Sequence, residues 1–345
     1  MVSGVRFFAI VAAGLLAACS ATSTMPRVRQ RDTLRNVLIR QSTPQYEAVA
    51  LPSGFAPNAI MQDGAIPGAI HGNAALYHDG ELAVLGKYNG EPTQAMSANE
   101  SGQVVGYASR RAVEYRNGVF SALPRVPNCQ EKEEALSIND SGDVYGVCWK
   151  SGESDAPQIA RFAPGSASLI SGPLNGRGYS VDVNSSGEFA FTATIFAGYK
   201  SYAAFGTCLT SKALLPNYQY SGATSINDYG TIVGFLTNNS TFTQTNAFVH
   251  RSGEPVIVLP MVPTSTSMAA SAINSYGTIV GTWSNASAAN GIFLYKSGVV
   301  YDVTKSIKPA DSYELLPGLA DSGSFIVIST TNFRYALVRP VMANN

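Results

Sequence analysis

Short runs of apolar and β-branched residues alternate along the chain with turn-forming residues, and one such unit recurs seven times. Its clearest copy is residues 226 to 234, which read Ile-Asn-Asp-Tyr-Gly-Thr-Ile-Val-Gly. The Asn side chain can hydrogen-bond the backbone two residues on, and the Gly three residues after it accepts a positive φ, so the pair suits a type I turn. Short strands flank the turn, and each copy therefore predicts a β-hairpin.

Five copies keep both turn residues, whereas the first and last copies keep only the glycine, at Gly64 and Gly323. Terminal repeats are expected to be atypical. The predicted turn pairs are Asn99 and Gly102, Asn139 and Gly142, Asn184 and Gly187, Asn227 and Gly230, and Asn274 and Gly277.

The repeat has the length of a propeller blade. Successive turn glycines are 38, 40, 45, 43, 47 and 46 residues apart. A second hairpin follows the first in each repeat, as at the Asn117-Gly118 turn, which gives four short strands per repeat. Four strands at this period predict an all-β fold, a seven-bladed β-propeller with antiparallel blades.

The last repeat lacks a fourth strand, and the chain carries a matching strand before the first repeat. Residues 46 to 52 fit the fourth-strand pattern, and we predict that they pair with residues 334 to 339 and close the ring, leaving the last blade no open inner edge. The predicted organisation is a signal peptide at 1–18, a lipidated Cys and tether at 19–45, the propeller at 46–340 and a tail at 341–345.

The N-terminus has the pattern of an export signal. Arg6 precedes twelve apolar or small residues, too few to span a bilayer, which needs roughly 20. Residues 16 to 19, Leu-Ala-Ala-Cys, resemble a bacterial lipobox, and that resemblance implies cleavage before Cys19 and lipidation of it. Ser20 in place of Asp implies an outer-membrane anchor, facing the periplasm or the cell surface.

The next stretch is polar and basic. Residues 20 to 45 contain five arginines and one acid, so we interpret them as a flexible tether, which is solvated or lies on anionic lipid. Beyond it the chain is poor in charge, at 13% of residues overall, and without Arg6 it has 22 basic and 23 acidic residues, a net charge of −1. This charge predicts no nucleic-acid partner.

The repeat resembles that of the bacterial extracellular HAF-repeat proteins. Their unit has the Asn-x-x-Gly turn, an Ile-Val-Gly strand, an Ala-Phe pair and a turn glycine. The Ala-Phe pair is intact at Ala247-Phe248, and the resemblance covers nearly everything after residue 55. It implies an exported repeat protein and carries over no catalytic residues.

Few side chains suggest catalysis or cofactor binding. The three histidines, His71, His78 and His250, fall in different blades or on opposite loop faces. No spacing resembles a zinc site, and the repeated turns lack the alternating oxygen ligands of a calcium loop. We therefore predict no cofactor, no metal and no enzymatic activity. Glu131, Glu133 and Glu134 fit a solvated loop better than an acidic site.

The loops differ between the two faces of the predicted disc. The turns between strands 1 and 2 and between strands 3 and 4 are short and share one face, the short-turn face. The other connections vary and form the long-loop face. We assign to the second face a set of aromatic anchors, a residue type that recognition surfaces favour. These candidate binding residues are Trp149, Trp283, Tyr199, Tyr202, Tyr218 and Tyr220.

The cysteines left after lipidation predict one disulfide in an oxidising compartment. Cys129 and Cys148 fall on the same face of the third blade, whereas Cys208 falls on the opposite face. A Cys129–Cys148 bridge is expected, with Cys208 unpaired.

Together these patterns predict an outer-membrane lipoprotein that acts as a binding or scaffolding module for a protein or polysaccharide, bound at its long-loop face. Two alternatives stay open. One is a propeller hydrolase or lyase that acts on envelope glycan or peptide, which would need His and carboxylate groups around the channel. The other is a purely structural envelope protein.

Overall fold

The computed structural model describes residues 43–129, 131–150, 157–172, 178–195, 200–215, 217–239 and 244–341. These residues form seven antiparallel sheets arranged as the blades of a propeller, as predicted. Within these ranges the chain has no helix long and apolar enough to cross a membrane. The signal peptide, Cys19 and the arginines of the tether lie outside the described residues.

Each of the first six blades uses four consecutive strands, ordered from the channel outward. Blade 1 has β2 (Phe55–Pro57), β3 (Ile66–Ile70), β4 (Asn73–His78) and β5 (Glu81–Gly86). Blade 2 has β6 (Thr93–Ala98), β7 (Val104–Ala108), β8 (Arg111–Arg116) and β9 (Val119–Ala122). Blade 3 has β10 (Lys132–Ile138), β11 (Val144–Trp149), β12 (Gln158–Ala163) and β13 (Ser166–Leu169).

The same order continues in the next three blades. Blade 4 has β14 (Val181–Val183), β15 (Glu188–Ile195), β16 (Lys200–Thr207) and β17 (Thr210–Ala213). Blade 5 has β18 (Tyr220–Ile226), β19 (Thr231–Thr237), β20 (Asn246–Arg251) and β21 (Ile257–Val258). Blade 6 has β22 (Ser267–Ile273), β23 (Ile279–Ser284), β24 (Asn290–Lys296) and β25 (Val299–Asp302).

Blade 7 is completed by the N-terminal strand, which confirms the predicted closure. Its strands are β27 (Tyr313–Leu315), β28 (Phe325–Ser329), β29 (Tyr335–Pro340) and β1 (Tyr46–Ala50). β1 pairs antiparallel with β29 over its whole length, from Tyr46 opposite Pro340 to Ala50 opposite Ala336. Tyr46 is buried and packs on Phe325, with ring centroids 5.4 Å apart.

The prediction was wrong about which edge β1 protects. The inner edge of blade 7 is β27, and β1 lies on the outer side of β29. A fifth strand, β26 (Ile307–Lys308), then pairs parallel with β1. The reason is the strand order, because the fourth strand of a blade is the one farthest from the channel.

The core is divided among the blade interfaces. Seven hydrophobic clusters each join two neighbouring blades, because alternate residues of a strand face opposite neighbours. In β23, for example, Ile279 packs toward blade 5 and Val280 toward blade 7. Strands buried on both faces explain the continuous apolar runs of the repeat.

The final glycine of the repeat has a steric cause that the sequence analysis did not identify. In blades 2, 3, 5 and 6 the inner strand contains a β-bulge. A Cβ at Gly106 would lie 1.9 Å from the carbonyl oxygen of Gln94, and Gly146, Gly234 and Gly281 have equivalent contacts. The inner strands of blades 4 and 7 have no bulge in their described pairings, and there Phe191 and Val327 replace the glycine.

Candidate functional site

The predicted Asn–Gly turns are confirmed, and the asparagines also join the blades. Gly230 has a φ of +69° and donates its N–H to the carbonyl of Asn227, which closes the turn. The Oδ1 of Asn227 accepts from the N–H groups of Tyr229 and Thr231. Its Nδ2 donates to the carbonyl oxygen of Asn274 in the next blade, at 3.0 Å.

This inter-blade bond repeats around most of the ring. The amide of Asn99 donates to Asn139, that of Asn139 to Asn184, that of Asn184 to Asn227, and that of Asn274 to the carbonyl of Ala320. All five asparagines are buried. We call this set the asparagine ladder, and it fixes the spacing of blades 2 to 7 at the short-turn face.

The ladder is interrupted where the first and last repeats meet. Met61 and Ala320 occupy the positions of the ladder asparagines there. The main chain replaces the missing side-chain bonds, since Asp321 donates its N–H to Gln62 and Ile60 donates to Pro317. The two atypical repeats are therefore joined directly by backbone.

The inner strands surround a central channel of about 490 Å³. The bulged residues Met96, Leu136, Thr224 and Ser271 line it, and Leu316 of blade 7 lies beside them. One side of the channel, formed by blades 7, 2 and 3, is thus apolar. The side formed by blades 4 to 6 is polar.

Asp182 is the carboxylate in this polar side. Its Oδ1 accepts from the Val183 N–H at 3.0 Å and the Ser137 hydroxyl at 3.3 Å. Its Oδ2 accepts from the Ser225 hydroxyl at 2.9 Å and the Ile226 N–H at 3.0 Å. Asp182 is half-buried and lines the channel. Burial raises the pKa of Asp182, whereas the four hydrogen bonds favour the ionised form.

Asp182 was not among the predicted site residues, although the sequence carries a signal for it. Ser97, Ser137 and Ser225 occupy the same position, two residues before the turn asparagine, in blades 2, 3 and 5. Blade 6 has Ala272 at this position, so blade 4 alone among the five blades with a turn asparagine carries a carboxylate there.

The long-loop face carries a groove of about 450 Å³ between blades 6 and 7. Trp283 and Tyr313 are its aromatic residues, and the exposed side chains of Thr282, Asn290 and Glu314 surround them. The Trp283 indole N–H donates to Asp302 at 3.2 Å. We call this the Trp283 groove.

Phe333 was not predicted and lies on the same face of blade 7. Its side chain is 76% exposed, and its φ of +55° is uncommon for a bulky residue. Asp311 holds its turn, accepting from the hydroxyls of Ser329 and Thr331, each at 2.5 Å. These hydrogen bonds lower the pKa of Asp311. The turn is thereby tied to the segment that leads into Tyr313.

The structure corrects the positions of the predicted aromatic anchors. Trp149, Trp283, Tyr202 and Tyr220 lie in strands rather than loops, because the strands extend farther toward this face than the apolar pattern indicated. Trp283 is only 9% exposed and Tyr220 is buried. Tyr202 and Tyr218 pack on hydrophobic clusters of blade interfaces. Tyr199 lies outside the described residues.

Trp149 belongs to a separate cluster between blades 2 and 3. The Lys132 ammonium lies 5.1 Å from the ring centroids of both Tyr107 and Trp149, and it pairs with Glu134. The interpretation of this segment as a solvated loop was wrong, because β10 begins at Lys132. Glu133 is fully buried and pairs with Arg111 of blade 2, so it joins two blades.

The predicted Cys129–Cys148 disulfide is present, with a Cα–Cα distance of 5.7 Å. The prediction that Cys208 stays unpaired was wrong, since no cysteine of the described residues is free and Cys208 is also in a disulfide.

The histidines lie apart, as predicted. His71 is in a turn on the long-loop face, whereas His78 and His250 end strands near the short-turn face. Burial and the charge of Lys212 lower the pKa of His250. Among the described residues, no group of three His, Cys, Asp or Glu side chains is placed to hold a metal ion.

Comparisons with known proteins identify the fold. No protein-family model and no curated protein matches the chain. A streptogramin B lyase structure matches with a TM-score of 0.57 and 14% identity, over 87% of this chain and 98% of that one. A catalytically inactive histidine variant of virginiamycin B lyase from Staphylococcus aureus, determined with quinupristin, matches with a TM-score of 0.57 and 12% identity, over 86% and 99%.

A third similar structure is YCF48 bound to a D1 peptide, with a TM-score of 0.50 and 11% identity, over 88% of this chain and 100% of that one. At these identities the likeness shows a shared propeller fold. The three proteins include lyases and a peptide-bound protein.

Proposed function

We propose that the protein is an outer-membrane lipoprotein, anchored by a lipid on Cys19, whose propeller binds a protein or polysaccharide of the cell envelope. Binding takes place at the long-loop face, in and around the Trp283 groove. The lipobox resemblance at residues 16 to 19 supports the anchor. A lipid on Cys19 holds the propeller at the membrane surface, facing the periplasm or the exterior.

The observation that carries the binding role is the composition of the Trp283 groove. It combines two aromatic residues with the polar side chains of Thr282, Asn290 and Glu314, and its volume of about 450 Å³ is in the range of ligand sites. Phe333 adds an exposed apolar side chain on the same face. Aromatic surface among small polar groups favours recognition.

The hydrolase or lyase alternative lacks a comparable observation. Among the described residues that line the channel and the groove there is no histidine. The two lyases resemble this chain in fold alone. We therefore favour the binding role over the hydrolase or lyase alternative.

The test compares retention of the full-length protein on three immobilised probes, which are peptidoglycan, outer-membrane polysaccharide and solubilised envelope proteins. The variant Tyr313→Ala/Asn290→Ala/Phe333→Ala is expected to lose at least about tenfold in affinity for the retaining probe, since a few anchors carry most binding energy. The matched control is Tyr229→Ala/Tyr276→Ala, which removes exposed aromatics from the opposite face. Equal retention of both variants would contradict the proposal.

The anchor is tested separately by metabolic labelling with radioactive palmitate. The wild-type protein should carry label and fractionate with the outer membrane, whereas Cys19→Ala should carry none. Label on Cys19→Ala, or none on the wild type, would rule out the anchor without bearing on the groove.

A further inference from the structure

Among the described residues, no basic group balances the charge of Asp182. The four hydrogen bonds to its carboxylate come from neutral donors. None of the ion pairs found among the described residues involves Asp182, and no Lys, Arg or His occurs among the described residues that line the channel. Even a half-buried anion without a positive partner is costly, because water solvates it better than neutral dipoles in a protein do.

Joining the blades does not require this charge. In blade 2 the Ser97 hydroxyl accepts from the Ile138 N–H, and in blade 3 the Ser137 hydroxyl accepts from the Val183 N–H, both at 3.3 Å. Asp182 makes the equivalent bond to Ile226. Since serine makes the inter-blade bond at this position, the carboxylate adds a negative charge that the fold can do without.

The channel offers space next to that charge. Met96, Leu136 and Leu316, from blades 2, 3 and 7, provide apolar surface in the same channel. At the short-turn end the lining residues include Asp63, Glu100, Asp140 and Asp228, so the potential at that mouth is negative as well. A volume of about 490 Å³ is enough for a small organic molecule.

We propose that the central channel binds an organic cation, in which an ammonium or guanidinium group lies beside Asp182 and an apolar body packs on Met96, Leu136 and Leu316. The cation supplies the positive partner that the carboxylate lacks, and the apolar body is removed from water. This site is distinct from the Trp283 groove, and the proposal does not depend on a partner at the long-loop face.

Calorimetric titration of the full-length protein tests this with three probes that share one apolar body. They are 4-phenylbutylamine, 4-phenylbutanol and 4-phenylbutyrate. The amine is expected to bind at least tenfold more tightly than the alcohol, and the carboxylate more weakly still. Equal affinity for the amine and the alcohol, or no binding of the amine, would overturn the proposal without any variant.

Variants then place the cation in the channel. Asp182→Ser copies blades 2, 3 and 5 and should lower affinity for the amine at least tenfold while leaving that for the alcohol unchanged. Glu100→Gln, which neutralises an exposed acid at the mouth, should change it by less than about threefold, because exposed charges are screened. Unchanged amine binding by a folded Asp182→Ser variant would contradict the assignment.

Should Asp182→Ser fail to fold, Met96→Trp provides an independent test, since it fills the channel from the apolar side. It should abolish binding of both the amine and the alcohol. Retained binding of the amine by this variant would mean that the cation binds elsewhere.

Discussion

The two faces of the propeller are built by different rules. On the short-turn face the same hydrogen bonds recur from blade to blade, and five buried asparagines link six blades. On the long-loop face the repeats differ, and the described side chains form a groove between blades 6 and 7, a cation–π cluster between blades 2 and 3, and the Cys129–Cys148 disulfide. The repeated face specifies the ring, which leaves the other face free to vary.

Deletion of residues 46 to 52 should have the largest effect, because β1 extends from one face to the other and completes blade 7. It removes the buried side chains of Tyr46 and Leu51 and the whole pairing with β29. Losing one large buried aromatic alone costs about 3–5 kcal/mol. The thermal melt should shift sharply downward or the protein should not fold, whereas Glu47→Ala, at an exposed position of the same strand, should melt like the wild type. An unchanged melt of the deletion variant would contradict ring closure by β1.

The triple variant Asn139→Ala/Asn227→Ala/Asn274→Ala removes three inter-blade hydrogen bonds of the short-turn face and leaves the long-loop face unchanged. Each substitution leaves buried backbone N–H and C=O groups without partners, at a cost of about 1–3 kcal/mol. Chemical denaturation should show a loss of roughly 3–9 kcal/mol in total, while binding by the folded fraction stays intact. A loss below about 1 kcal/mol would mean that the ladder does not hold the blades.

The Cys129–Cys148 disulfide sharpens the comparison, since it is a stabilising element on the variable face. It closes a loop over a sequence separation of 19 residues, for which the loop-entropy estimate is about 3 kcal/mol. Cys129→Ser/Cys148→Ser should therefore lower the free energy of unfolding by about that amount. If the double variant were as stable as the wild type, the disulfide would not stabilise the fold.

Trp283→Ala separates a structural role from a binding role on the long-loop face. A tryptophan in a loop would cost little to remove, but Trp283 is buried in β23 with its indole hydrogen-bonded to Asp302. We expect a loss of about 3 kcal/mol in unfolding free energy, as for other large buried aromatics. Trp149→Ala, whose ring is only partly buried, is the comparison and should cost less. If both variants lost a negligible amount of unfolding free energy, Trp283 would behave as a loop residue outside the core.

The sequence predicted the repeated face well and the variable face poorly, for a physical reason. The Asn–Gly turns of five repeats and the strand count follow from backbone rules that act locally, and the closure by residues 46 to 52 follows from the same strand pattern. The bond from Asn227 to Asn274 joins different blades, so no local pattern could reveal it.

Side chains at single positions were the hardest to place. Whether Trp283 is exposed depends on where β23 ends and on how closely the backbone of Gly291 packs against its ring. A Cβ added at Gly291 would lie 2.8 Å from the indole nitrogen. Phe333 and Asp182 were visible only as departures from the repeat. Departures of this kind are better guides to a site than aromatic content, since the repeat itself accounts for what is regular.

The central claim is that the asparagine ladder on the short-turn face holds the blades together and that binding takes place on the long-loop face. The direct measurement is a paired one, in which unfolding free energy and retention on the preferred envelope probe are determined for two variants. Tyr313→Ala/Asn290→Ala/Phe333→Ala should stay within about 1 kcal/mol of the wild type, because its positions are exposed or half-buried, and should lose retention. The triple asparagine variant should show the reverse. If the groove variant unfolds, or binds normally once folded, the division between the faces is wrong.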